Sequence, residues 1–138
     1  DIIKLNNFMI SNKADIGTLA TKIKNNAMLV NKNVVKVNLT EKLSNDNFPF
    51  AINFSRENFS SKYENIYHHI GIYIYRVNVL EKFVNFAQTK NEIEHRLEQL
   101  RALDNNIKIN VALANSSPIG IDTEEDYLAL KKIMEYKS

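Results

Sequence analysis

The sequence has no cysteine. That excludes disulfides, thiolate nucleophiles and zinc–sulfur sites, and it fits a reducing cytoplasm. Glycine is also scarce: Gly17, Gly71 and Gly120 stand far apart. A phosphate-cradling loop needs clustered glycines so that several backbone N–H groups face one anion, so any nucleotide phosphate has to be held by residues elsewhere. No signal peptide and no apolar run of membrane-spanning length is present, and the expectation is a soluble, cytoplasmic chain with no membrane partner. Charge of one sign is lacking too, because 18 Lys and Arg against 16 Asp and Glu leave a net charge of +2. Such a balance does not point to nucleic acid or to an anionic surface. Arg56, Arg76, Arg96 and Arg101 are scattered and have no interleaved aromatic pattern, which again argues against nucleic acid. No HExxH, no Ser/His/Asp order and no other self-contained catalytic signature occurs.

What is present suits one globular unit. The 138 residues are 44% hydrophobic and 25% charged, enough for a real core in a single domain or partial domain spanning 1–138. Residues 67–76, YHHIGIYIYR, alternate as a strand. Ile70, Ile72 and Ile74 fall on one side, the side for a core. His69, Gly71, Tyr73 and Tyr75 fall on the other, where an imidazole, a bare backbone and two phenols suit the wall of a polar cleft. The plainer alternative is an edge strand whose tyrosines and histidine lie against solvent.

The flanking segments fill in an α/β pattern. Ile2, Ile3, Leu5, Phe8 and Met9 read as the end of a helix, which suggests a missing N-terminal part. Residues 15–23 and 33–39 read as strands. The polar cluster Ser44-Asn45-Asp46-Asn47 turns the chain into a third strand carrying Phe50, Ile52 and Phe54 in step, so a hairpin is expected. Residues 56–64 lack periodicity and read as a loop. Val77, Leu80, Phe83 and Val84 keep helical spacing, and Ile93, Leu97, Leu100 and Leu103 do so on a helix expected over 92–104. Ile107, Ile109, Val111 and Leu113 alternate as a strand with a small-residue face; a loop at 115–120 and a helix over 123–136 follow. The order strand, helix, helix, strand, helix argues for a layered α/β fold on a mixed sheet.

Three constellations suit chemistry. Asp122 precedes the last expected helix in GIDTEED. Either it caps that helix with Glu125 as its capping-box partner, or Thr123 caps with Asp126 and leaves Asp122 free for a hard cation. Glu98 and Gln99 lie beside the buried leucine stripe, the plainer role for Glu98 being a surface pair with Arg101 three residues on. Arg56 ends the third strand in Phe54-Ser55-Arg56, where a guanidinium suits bidentate capture of a carboxylate. His68 and His69 face opposite ways on a strand and cannot chelate one metal together. His95 reads as solvent-exposed.

Taken together, FSR at 54–56, HIGIYIYR at 69–76, LEQLRAL at 97–103 and GIDTEED at 120–126 resemble the C-terminal half of the 3-deoxy-manno-octulosonate cytidylyltransferases, also called CMP-Kdo synthetases. Upstream, GTLAT and NVVKV also resemble that family's segments just after its Asp-rich nucleotide loop. The resemblance implies a mixed-sheet, Rossmann-like nucleotidyltransferase (glycosyltransferase-A-like) fold lacking its N-terminal nucleotide-binding half. It implies cytidylyl transfer from CTP to 3-deoxy-manno-octulosonate (Kdo), giving CMP-Kdo and pyrophosphate with magnesium (Mg2+), for lipopolysaccharide biosynthesis. Arg56, His69, Tyr73, Glu98 and Gln99 are implied to hold the sugar acid, and Asp122 to bind magnesium. A homodimer is implied as well, with the Phe50, Ile52, Phe54 hairpin as its candidate surface.

The sequence departs from the family pattern at several points. Glu57-Asn58-Phe59 replaces a Pro-Trp loop, Ile74 stands where a glycine is usual, and His95 with Glu94 replaces a glutamate ahead of LEQLR. The loop before Gly120 is about a residue short. Since the nucleotide loop and cytosine contacts of the resembled family have no counterpart here, the chain alone is expected to be inactive and not to bind CTP tightly. The alternative is a non-catalytic interaction domain derived from that family.

Overall fold

The structure, a computed structural model, describes residues 1–59 and 63–115. The elements follow as α1 (Ile2–Asn12), β1 (Ile16–Thr21), α2 (Asn26–Val30), β2 (Lys36–Leu39), β3 (Ala51–Ser55), β4 (Ile66–Tyr75), α3 (Val77–Asn85), α4 (Lys90–His95), α5 (Leu100–Asp104) and β5 (Ile109–Leu113). The expected helix over 123–136 and Asp122 lie outside the described residues. No helix among the described residues is long and apolar enough to cross a membrane.

The five strands form one sheet in the order β3-β2-β4-β1-β5. β5 runs parallel to β1, and the other pairings are antiparallel, so the sheet is mixed as the pattern of elements predicts. β4 sits in the middle, paired with β2 on one side and β1 on the other, which overturns the edge-strand alternative. Both faces of the sheet are covered. On one, α1 lays Leu5 against Leu19, Ile70, Ala112 and Ala114, with Ile72 and Ile74 packed alongside. That is the isoleucine side of β4. Gly17 permits the approach, because a Cβ there would come 2.5 Å from Met9 Sδ and 3.1 Å from Leu5 Cδ1. On the other face Ile16, Ala20, Val37, Phe54, Tyr67 and Val111 meet Val79, Phe83, Leu97 and Leu100 from α3, the turn after α4, and α5. β1 is therefore buried on both sides, consistent with its apolar residues falling on both parities.

Three expectations change in detail. The helix after β4 forms, but Val79 and Phe83 are its buried residues, while Val77, Leu80 and Val84 are exposed. Its entry is fixed by Arg76, whose N–H donates to Asp15 O and whose guanidinium donates to Lys13 O and the Asp15 carboxylate. That anchorage, on the residues just ahead of β1, decides which face turns inward. The helix expected over 92–104 is two short helices, since Arg96 takes a left-handed φ of 55° and ends α4. Ile93 is consequently exposed. In β3 the alternation of Phe50, Ile52 and Phe54 is interrupted by an irregularity in the ladder, where Asn38 pairs Asn53 but Leu39 pairs Ala51. Phe54 is buried at 1% exposure, whereas Phe50 and Ile52 remain 41% and 54% exposed. Phe54 is thus core and leaves the candidate dimer surface.

Candidate functional site

The cleft follows from unequal strand lengths. β4 has ten residues and β2 only four, and β2 pairs with Ile66, Tyr67 and His68 alone. One further bond, His69 N to Val35 O at 2.9 Å, closes that side. Beyond it, the face bearing His69, Gly71, Tyr73 and Tyr75 opens into a cavity of about 370 Å³. Arg56 borders it from the end of β3, and Glu98 and Gln99 border it from the turn between α4 and α5. The structure therefore brings Arg56, His69, Tyr73, Glu98 and Gln99 to one place. Gly71 has open space where a Cβ would stand.

Arg56 and His69 are held by identifiable partners. Arg56 donates through Nη1 to Lys32 O and through Nη2 to Arg96 O, both at 3.3 Å, while its Nε is buried without a partner. Its own carbonyl accepts from Lys36 Nζ, which also donates to Asn31 O at 2.7 Å. Lys36 is fully buried, and desolvation pushes its ammonium below the usual lysine range. His69 is 8% exposed and lies edge-on to Phe54 at 4.9 Å and tilted against Tyr73 at 5.4 Å. Burial, reinforced by His68, lowers its pKa to about 3, so the ring is neutral at physiological pH. Burial also pushes the Tyr73 phenol far up, with Tyr75 and Glu98 adding to the shift, and Tyr73 stays a hydroxyl donor.

Glu98 and Gln99 owe their position to a pair the leucine stripe conceals. Thr89 caps α4 through a capping box with Glu92. Glu92 in turn accepts from Arg101 Nε at 2.6 Å and Nη2 at 2.8 Å. That bidentate contact, first among its causes, holds the Glu92 carboxyl below the usual range. It ties the first turn of α4 to α5 and pins the break between them. Arg101 is committed to Glu92, and the surface pair with Glu98 does not form. The Arg101 guanidinium also lies 5.1 Å from the Phe83 ring centroid.

Asn33, His68 and Arg96 also line the cleft, and sequence reasoning gave no signal for them. Glu92 did carry a signal, the Thr-x-x-Glu spacing from Thr89. Glu94 and His95, the residues departing from the family pattern, are exposed and line a neighbouring cavity of about 560 Å³ that shares Asn33, Arg56 and Arg96 with the cleft. Asp122 lies outside the described residues. Among the described residues there is no group of three or more His, Cys, Asp or Glu able to hold a metal ion.

Comparison with known proteins agrees with this architecture. A solved structure described as CMP:2-keto-3-deoxy-manno-octonic acid synthetase complexed with CTP superposes with a TM-score of 0.77 at 24% identity, over 100% of this chain and 56% of that one. Proteins named 3-deoxy-manno-octulosonate cytidylyltransferase are similar in sequence. That of Bartonella tribocorum is 41% identical over 122 residues, 87% of this chain and 49% of its own length. That of Rickettsia prowazekii is 38% identical over 136 residues, 98% of this chain and 51% of its own. The chain spans about half the length of the curated relatives it matches. A family model described as cytidylyltransferase matches residues 3–109, and on that match and these identities the chain belongs to the cytidylyltransferase family.

Proposed function

We propose that the cleft holds the acceptor sugar acid, Kdo, in a CTP-dependent cytidylyl transfer giving CMP-Kdo and pyrophosphate. One observation carries the reading: Arg56, His69, Tyr73, Glu98 and Gln99, drawn from β3, β4 and the α4–α5 turn, line a single cavity. A sugar acid needs a cation for its carboxylate and neutral or anionic groups for its hydroxyls. Arg56 supplies the first; His69, Tyr73, Glu98 and Gln99 supply the rest. The transfer itself depends on placing the anomeric hydroxyl in line with the α-phosphorus of CTP, and these residues hold and orient that acceptor. Nucleotide binding belongs to residues other than these 138. Magnesium would neutralise phosphate charge, with Asp122 as its ligand in this chain. The exposed Ile52 on the edge strand β3, with the exposed Phe50 just ahead of that strand, is the proposed homodimer surface. The proposed setting is cytoplasmic lipopolysaccharide synthesis.

Titration of the isotope-labelled 138-residue chain with Kdo tests the assignment. Chemical-shift changes are expected at Arg56, His69, Tyr73, Glu98 and Gln99, and shifts confined to other surfaces end the proposal. The same chain is expected to show no micromolar CTP affinity by calorimetry, where tight binding contradicts the division of labour.

Two substitutions sharpen the test. Gly71→Ala adds a methyl that meets no protein atom within 4 Å, so stability should change by no more than about 0.5 kcal/mol. Kdo affinity should nevertheless fall about tenfold, because overfilling a fitted contact costs on the order of 1 kcal/mol or more. Denaturant curves and the titration read the two separately. In cytidylyl-transfer assays of an enzyme carrying these residues, Asp122→Asn should lower the rate about a hundredfold, since a metal contact to phosphate is worth several kcal/mol. A loss of stability with the rate intact assigns Asp122 to helix capping.

A further inference from the structure

The ladder between β1 and β4 is irregular beside the cleft. Thr18 pairs with Tyr73 and the next residue, Leu19, pairs with Ile70, so Gly71 and Ile72 have no partner on β1. The Thr18 side chain fills that gap. Its Oγ1 lies 2.7 Å from Ile72 O, 3.1 Å from Ile70 O and 3.0 Å from His69 Nε2, and Thr18 is fully buried.

Proton counting fixes the direction of these bonds. A hydroxyl carries one proton and can accept through its lone pairs, whereas a carbonyl oxygen can only accept. Were the Thr18 proton given to Nε2, the Oγ1 lone pairs would face Ile72 O at 2.7 Å with no proton between two acceptors, which is repulsive. The proton therefore goes to the nearer carbonyl, Ile72 O, and Thr18 Oγ1 accepts from His69 Nε2–H. A neutral imidazole has one N–H, so Nδ1 is left as a lone-pair acceptor. Nδ1 has no partner among the described residues, and His69 lines the cavity.

We propose that Thr18 is a positioning residue that locks His69 in its Nε2–H tautomer, so that Nδ1 accepts a hydrogen bond from a ligand hydroxyl in the cleft. The ligand half of this inference rests on the sugar-acid reading of the site. It also divides the ligand between residues. An ionised carboxylate has no proton to give Nδ1 and is directed to Arg56, while a polyol hydroxyl is directed to His69. No feature of the one-dimensional pattern marks Thr18, which looks like any strand threonine.

Nitrogen NMR of the His69 ring in the unliganded chain tests the lock directly. Between pH 5 and 8, protonated Nε2 and unprotonated Nδ1 are expected; protonated Nδ1, or a mixture, overturns the proposal. Thr18→Val removes the hydroxyl at constant shape and should mix the tautomers and weaken Kdo binding about tenfold, the worth of one hydrogen bond. Thr18→Ser should restore both. A Thr18→Val chain that keeps the wild-type tautomer, or changes tautomer yet binds Kdo unchanged, overturns the positioning role. If Thr18→Val does not fold, Thr18→Ser still decides, since its hydroxyl must reproduce the wild-type ring signals. A wild-type chain with the expected tautomer but no Kdo shift removes the sugar reading and upholds the lock.

Discussion

Acidification from pH 7 to pH 5 is expected to cost the fold about 2 kcal/mol through His69 alone, and roughly 4 kcal/mol by pH 3. The unfolded chain takes up a proton at the ordinary histidine value of 6.5, whereas the folded ring takes one only near pH 3. Between those limits protonation favours the unfolded state, so stability is full above pH 6.5 and falls as pH drops. The cause is the position of the ring, buried between Phe54 and Tyr73 with Nε2 on Thr18. His68 adds in the same direction, its pKa being lowered by burial and by Lys36 and Lys24. Denaturant curves at pH 7 and pH 5 measure the slope, and His69→Gln, whatever it does to stability at pH 7, should flatten it. An unchanged slope in that variant places the acid sensitivity elsewhere.

The element that carries this sensitivity was also the most legible part of the chain. Strict alternation over 67–76 gave the strand, its apolar side and its cleft side, because period two survives wherever a strand is regular. The irregularity at Gly71 and Ile72 leaves that alternation intact, as two unpaired residues preserve parity. In β3, a single skipped residue changes the parity, and Ile52 faces out although the pattern puts it in step with Phe54. Sequence patterns record periodicity, and the register that breaks it is settled by partners far along the chain. Val77, Leu80 and Val84 show the same limit. They keep helical spacing, but the Arg76 anchorage to Lys13 and Asp15 turns the other face of α3 inward. Among the candidate site residues, Arg56, Glu98 and Gln99 were singled out by residue type and by resemblance. What holds them, Lys36 beneath Arg56 and Glu92 with Arg101 beneath the turn, is made by charged groups in places where composition predicts solvent.

Arg101→Met is expected to lower stability by about 3 kcal/mol, because removing one member of a buried ion pair leaves the other charge uncompensated. The side chains of Arg101 and Glu92 are 12% and 5% exposed, and two short hydrogen bonds join them. An exposed pair such as Lys32–Glu57, with side chains 74% and 68% exposed, should by contrast be worth well under about 1 kcal/mol. The double variant Glu92→Leu/Arg101→Met tests the cause, since deleting both charges should recover part of the loss. The pH dependence gives a second reading. The folded Glu92 carboxyl lies below its ordinary 4.5, so its contribution is present above that value and is lost as pH falls through the folded pKa. Arg101→Met should lack that acid-side loss. The consequence for the cleft follows from where the pair sits. α4 and α5 have only six and five residues, too few to fix their own orientation. The Glu92–Arg101 contact does so for both, and with it sets Glu98 and Gln99 at the border of the cleft. Kdo affinity is therefore expected to fall in Arg101→Met at temperatures where the variant is still folded, and native affinity there would show that the turn holds its shape without the pair.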